Sequence, residues 1–290
     1  MKYITVIMIF SVFLSPCFAS NEIKYSIHPY AAYYDFDKTV SKKSTAAGGV
    51  YGFYKYGDYH SFEGDIGYTR ITYKGTLAAS DFDIEQKDLT LVYNNNYFSD
   101  LKARTGVHAI VSDDDQTDKS YIVFTGVSYY ELYKYDMGVD VYVSSYKDYV
   151  PDSLTVLQLT ATGGFNFGDY YTTGSFYART RCHYIRLSDD IGYNDKQFTS
   201  VEQALFYYYK EWTVQAFAWV GSQVFSVQKD GFVVHNLGEK HMAEYGGSVT
   251  YAYNKSSSVK LEVSRGNFKE LGYNTTAHFL KCMAMMSFKF

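Results

Sequence analysis

From Ala243 to its last residue the chain repeats with a period of two. Ala243, Tyr245, Val249, Tyr251 and Tyr253 alternate with Glu244, Gly246, Ser248, Thr250 and Asn254. Val259, Leu261 and Val263 then alternate with Lys260, Glu262 and Ser264. Finally Leu280, Cys282, Ala284, Met286, Phe288 and Phe290 share one face, opposite Lys281, Ser287 and Lys289. Successive side chains of a strand point to opposite sides, so the pattern specifies strands with one apolar and one polar face. Similar runs fall at 212–226, 198–210, 171–186, 154–168, 136–147, 119–133, 101–112, 87–96, 61–73, 48–56 and 23–36, which makes 14 in all. In 48–56 and 119–133 both faces are largely apolar or aromatic, so there the alternation is weak.

The connections alternate as well. Long ones run from Asp37 to Thr45, Gly75 to Glu85, Ser112 to Asp118, Ser188 to Lys196 and Gln228 to Lys240. Between them lie tight ones at Gly57-Asp58, Phe98 to Asp100, Lys134-Tyr135, Gly168 to Tyr170, Lys210-Glu211 and Lys255 to Ser257. The fourth outer connection, Tyr149 to Asp152, is shorter than its peers. A soluble sandwich has no reason to place its long loops on every second connection, whereas an up-and-down barrel has loops at one end and turns at the other. The expected fold is therefore all-β, a transmembrane antiparallel up-and-down β-barrel of about 14 strands. Composition agrees: 33 Tyr and 21 Phe suit a membrane–water boundary, and Pro is confined to three positions. Mean hydropathy is −0.25 and the longest apolar run is too short for a helix that must span with ~20 residues.

That apolar run, Ile4 to Leu14, follows the cationic Met1-Lys2-Tyr3 and precedes Ser15 to Ser20, with Pro16 and small residues at Cys17 and Ala19. It has the layout of a secretory signal, giving a signal peptide over 1–19 cut after Ala19 and a barrel over 20–290. Cys17 invites a lipoprotein reading, but Pro16 stands where a small residue is wanted. The remaining Cys182 and Cys282 are too few for a disulfide framework. No Cys/His metal spacing is present, and no cofactor is expected. A net charge of −4 without a basic, aromatic-interleaved patch argues against a nucleic-acid partner.

The C-terminal Phe290, with Phe288 and Met286 on its face, resembles the terminal signature of bacterial outer-membrane proteins. The resemblance implies a Gram-negative outer membrane, contact with lipid and lipopolysaccharide, and an assembly machinery that reads Phe290. Among barrels of this size the chain resembles simple monomeric, porin-like 14-strand channels. It lacks the N-terminal hatch of long-chain fatty acid transporters and the long third loop of trimeric porins. The implied function is passive diffusion of small hydrophilic solutes.

If the apolar parity faces lipid, the other parity lines the lumen, because a charge on the lipid face near mid-bilayer costs ~2–4 kcal/mol. The pore-lining candidates are Glu63, Asp65, Lys102, Arg104, His108, Asp140, Arg179, Arg181, His183, Glu202, Glu244, Lys260, Glu262 and Lys281, with Lys289 at the end of the last strand. Arg179, Arg181 and His183 form a row that attracts anions or, as a charge ladder, pairs with Glu202. Inward aromatics such as Tyr142, Tyr146, Tyr177, Phe217 and Trp219 suit a slide for sugars or a rim girdle. At about 14 strands, side chains do not fill the bore, so it holds water, a loop or a plug. The default for the segment Gln228 to Lys240 is a solvated loop; the other reading folds Phe232, Val233, Val234 and His235 inward to narrow the pore.

An enzymatic barrel is the rival reading. It needs a His beside a Ser or an acid. His28 shares a face with Ser26, and His108 lies below Ser112, Asp113 and Asp114. Asp-rich outer loops are commonly only solvated surface, and no catalytic residue is expected. A non-conducting barrel that displays loops is the further alternative.

Overall fold

The two-residue period becomes a closed sheet. A computed structural model describes residues 23–75, 80–98, 100–149, 153–273 and 275–290. The strands are β1 (Ile23–Asp37), β2 (Lys42–Tyr56), β3 (His60–Tyr73), β4 (Phe82–Asn95), β5 (Leu101–Ser112), β6 (Ser120–Glu131), β7 (Tyr135–Tyr146) and β8 (Leu154–Asp169). They continue with β9 (Gly174–Leu187), β10 (Gln197–Tyr209), β11 (Trp212–Gln223), the two-residue β12 (Val227–Gln228) and β13 (Val233–Val234), then β14 (Lys240–Asn254), β15 (Ser257–Lys269) and β16 (Thr276–Lys289). Each barrel strand pairs antiparallel with its neighbour in sequence, β11 pairs with β14, and β1 closes on β16, so no edge is left exposed. The barrel has 14 strands, as the sequence period indicates. Among the described residues no helix is long and apolar enough to cross a membrane. The expected signal peptide, Met1 to Ala19, and most of the fourth outer connection lie outside the described residues.

The first hairpin departs from expectation. The long loop from Asp37 to Thr45 is mostly strand: β2 begins at Lys42, and only 38–41 connect it to β1. Lys42 and Thr45 of this segment are buried in the barrel interior near the loop end, while Lys43 is exposed and pairs with Asp81. Lys42 is buried there against Glu239 at 2.7 Å, with its ammonium 5.4 Å from the Phe36 ring centre. β4 likewise begins at Phe82, and its extra outward residue Asp83 pairs with Arg70 of β3.

The outer surface is apolar in a band. Ile66 is 67% exposed and Leu261 59%, with Val50, Leu91, Val139 and Leu205 at similar height. Exposure to water would forgo ~1.5–3 kcal/mol for each such side chain, so the belt belongs in lipid. At the end that carries the tight turns, aromatics pair closely around the barrel. Tyr25 lies on Phe290 with ring centres 4.9 Å apart, Phe167 on Phe176 at 5.1 Å, and Trp212 on Tyr251 at 4.6 Å. Amphipathic rings at that height match a membrane interface. Cys182 and Cys282 are free and exposed on this surface.

The inner surface is not uniformly polar. Near the loop end Tyr146, Leu154, Val156, Ile185, Leu187 and Phe198 point inward and pack on Val224 and Phe225. Deeper, Ile110, Ile122, Phe124 and Tyr142 pack on Val227, with Phe232 and Val234 against them. A third cluster of Phe268, Ala277 and Phe279 meets Tyr34 and Phe36. The first two clusters exist because the connection between β11 and β14 lies inside the barrel.

Candidate functional site

That connection is the longest, residues 224–239, and it is not a solvated loop. It enters the lumen, forms the short β12–β13 hairpin and turns through a single 3-10 turn, Lys229–Gly231. The inward reading of Gln228 to Lys240 is the one the structure shows. The turn is tight enough that Lys229 (φ 46), Asp230 (φ 61) and Gly231 (φ 99) are all left-handed. Gly231 is required: a Cβ there would lie 2.5 Å from the Phe124 ring.

The wall holds the hairpin from all sides. Gln158 of β8 brackets Val227, its amide NH2 donating to the carbonyl at 2.6 Å and its carbonyl accepting from the backbone N–H at 2.8 Å. Asn236 donates to Gln86 of β4 at 2.7 Å. The Phe232 ring meets Tyr51 of β2 edge-on at 5.2 Å. Arg181 of β9 reaches Asp230 Oδ1 at 2.8 Å, and Arg104 of β5 bonds the Asp230 carbonyl and lies 3.5 Å from its carboxylate. Opposite, Lys229 Nζ lies 3.5 Å from Glu262 of β15. These partners come from well-separated strands of the ring, so the hairpin spans the bore. Burial alone would raise the Asp230 carboxyl; Arg181, Arg104 and Arg179 outweigh it and hold it below the usual carboxylate value.

The charged candidates fall into networks on the lumen-facing parity. Around the hairpin tip, Arg104 also lies 3.6 Å from Asp140, with Lys102 adding positive charge nearby. Arg179 pairs with Glu202 at 3.1 Å, so the ladder reading holds for Arg179, whereas Arg181 goes to the hairpin. His183 bonds Thr160 at 3.0 Å. On the opposite wall Lys281 bridges Glu244 at 3.2 Å and Glu262 at 2.9 Å, and Lys260 joins Glu262 at 2.9 Å. Glu63 accepts from Tyr51 at 2.6 Å and from Asn94 at 2.7 Å. Asp65 accepts from Tyr30 at 3.0 Å, and His108 contacts Thr90 at 2.7 Å and Asp88 at 3.1 Å. Tyr142 and Tyr146 are packed among other side chains, which leaves no room for a sugar slide along them.

The catalytic alternatives do not assemble. His28 lies between two hydroxyls, Ser26 at 2.8 Å and Ser287 at 2.7 Å. His108 turns to Thr90 and Asp88, while Ser112 accepts from the Asp114 backbone and Asp113 from that of Glu85. Among the described residues no cluster of His, Cys, Asp and Glu could hold a metal.

Closed by β11–β14 pairing and β1–β16 pairing, filled by one connection, the molecule can be set beside known ones. No family model and no curated protein matches the chain. Solved structures do. The toluene transporter TbuX of Ralstonia pickettii superposes with a TM-score of 0.59 at 12% identity, over 94% of this chain and 90% of that one. The CymD monoaromatic hydrocarbon channel gives 0.58 at 9% identity, over 93% and 89%. A bacterial polysaccharide outer membrane secretin gives 0.59 at 13%, over 92% and 98%. The chain has the outer-membrane β-barrel fold. At such identities the likeness carries the architecture and not the cargo.

A cavity remains beside the hairpin in the lumen. It has a volume of about 210 Å³ and lies between the hairpin and the wall that runs from β16 through β1 to β5. Small inward residues open it: Ala32, Ala47 and Gly67.

Proposed function

We propose that the protein is an outer-membrane channel through which small hydrophilic solutes diffuse passively, and that the β12–β13 hairpin is its gate. The carrying observation is the nature of the hairpin's anchors. Asp230, Lys229 and Asn236 are held by charged and amide groups of the wall, which water and ions can replace when the hairpin leaves. Apolar packing of Val227, Phe232 and Val234 on the wall holds the inserted state beside these exchangeable anchors. With the hairpin displaced, the bore is lined by the fourteen sequence candidates, twelve Arg, Lys, Asp and Glu of both signs with His108 and His183, which suits hydrophilic solutes without strong charge selection. Solutes would move down their gradient, with no covalent step.

Liposome swelling tests this reading. Proteoliposomes with the wild-type chain should swell slowly in arabinose or glycine, and those with residues 228–237 replaced by a short Gly-Ser linker should swell at least tenfold faster. Equal, background-level swelling of both would show a barrel that does not conduct.

A further inference from the structure

We infer that the luminal cavity is a binding site for a small organic cation, an ammonium group carrying an apolar or aromatic body. The first observation is a charge imbalance. The lysines around the cavity are engaged by other acids: Lys229 and Lys281, which line it, share Glu244 and Glu262 with Lys260, and Lys42 has Glu239. The acids Asp65 and Asp88 have no Lys or Arg within ion-pair distance among the described residues. Asp65 is 95% buried, since only 5% of it is exposed, and its hydrogen bond comes from the neutral Tyr30 hydroxyl. Both contacts of Asp88, from Gln86 at 2.8 Å and from His108 at 3.1 Å, land on Oδ1 and leave Oδ2 to the cavity. The His108 ring spans the two strands, with Nε2 on Asp88 and Nδ1 on Thr90.

The second observation is that the two carboxylates are brought together by construction. Both flank Gly67, where a Cβ would lie 3.5 Å from Asp65 Oδ2 and 3.6 Å from Asp88 Cβ. Tyr30 reaches Asp65 from β1 only by crossing β2 at Gly49, whose Cβ would meet the Tyr30 hydroxyl at 2.6 Å. Two carboxylates buried side by side are costly, and either a shared proton or a cation placed between them relieves that cost.

The third observation is the opposite lining. Tyr34, Phe36, Phe232 and Phe279 supply aromatic surface next to Val234 and Leu237. Aromatic faces stabilise a desolvated ammonium, and they exclude the hydration shell that an inorganic ion keeps. A cavity of ~150 Å³ accommodates benzene, so about 210 Å³ fits one ring with a short amine arm.

The inference requires the cavity, not conduction, so it stands or falls apart from the channel reading. Isothermal titration of the purified, folded barrel in detergent would use three probes of one shape: 2-phenylethylammonium, 2-phenylethanol and 3-phenylpropionate. The ammonium should bind at least tenfold more tightly than the alcohol, and the carboxylate should not bind. Asp65→Asn and Asp88→Asn, isosteric and checked for the heat-modifiable gel shift of a folded barrel, should each weaken the ammonium at least tenfold. They should leave the alcohol unchanged, and the exposed-loop variant Asp189→Asn should bind as wild type. Equal affinity for ammonium and alcohol, or ammonium binding indifferent to both Asn variants, would overturn the site. So would displacement of the ammonium by equimolar potassium.

Discussion

Asp230 stands at the tip of the inserted hairpin in a backbone conformation that L-residues rarely adopt, beside Lys229 in the same region. Each such residue costs roughly 1–2 kcal/mol, so the turn exists only while other contacts outweigh it. Arg104 and Arg181 on one wall and Glu262 on the other supply them. Arg104 and Arg181 are buried while Asp230 is half-exposed, so removing Asp230 strands two buried guanidiniums at a cost that solvent screening holds below the ~3–5 kcal/mol of a fully buried pair. Asp230→Ala should therefore release the tip, and Lys229 should become a rapid tryptic site that wild type protects. Gly231→Val should do the same by another route, since its Cβ would press on Phe124 and its φ of 99 is closed to a β-branched residue. Trypsin resistance at Lys229 in both variants would mean the tip is not anchored by these groups. None of this was legible from single residues. Asp230 reads in sequence as one more loop acid, and its partners lie 49 and 126 positions away.

At the scale of elements, the strands were readable and the hairpin was half so. A strand against lipid on one side and water on the other must alternate, and that physics is written into β14, β15 and β16. The windows where alternation weakened, notably 119–133, turn out to be informative. Ile122 and Phe124 face inward because the hairpin packs on them, so a strand apolar on both faces marks where the bore is filled. The misplaced start of β2 has the opposite cause, an inward Lys42 and Thr45 in a polar stretch that looks like loop. The hairpin also carries a pH response whose sign can be worked out. Asp230 is held low by its arginines, so its contribution is present above the ordinary aspartate value and lost as pH falls through its own. His235 is pushed well below its ordinary value of ~6.5 by burial and then by His241, with Lys42 adding to and Glu244 and Glu239 opposing the shift. A neutral His235 inside penalises insertion as pH drops below that ordinary value. Asp230 acts only below the ordinary aspartate value, so between pH 7.5 and pH 4.5 His235 alone sets the sign, and the open fraction in a planar bilayer should rise as pH falls through that range. His235→Phe should flatten that rise. An open fraction that stays level across the range would contradict the sign.

At the scale of the whole molecule, one chain satisfies two solvents by filling a space its strand number leaves open. Fourteen strands close every backbone edge, the apolar belt and its aromatic pairs meet the membrane, and the bore left over is too wide for wall side chains alone. The sixth outer connection takes up that space on polar anchors, leaving a cavity of about 210 Å³ on one side. The barrel was legible because its constraints are periodic, while the filling depends on contacts between distant strands. The central claim is that this hairpin closes an otherwise open pore, and single-channel conductance in a planar bilayer at neutral pH tests it most directly. Wild type should be closed for most of the record with brief openings, and the chain with residues 228–237 replaced by a Gly-Ser linker should give long steps of order a nanosiemens in molar salt. Steps of the same size and duration from both proteins, or silence from both, would contradict the account.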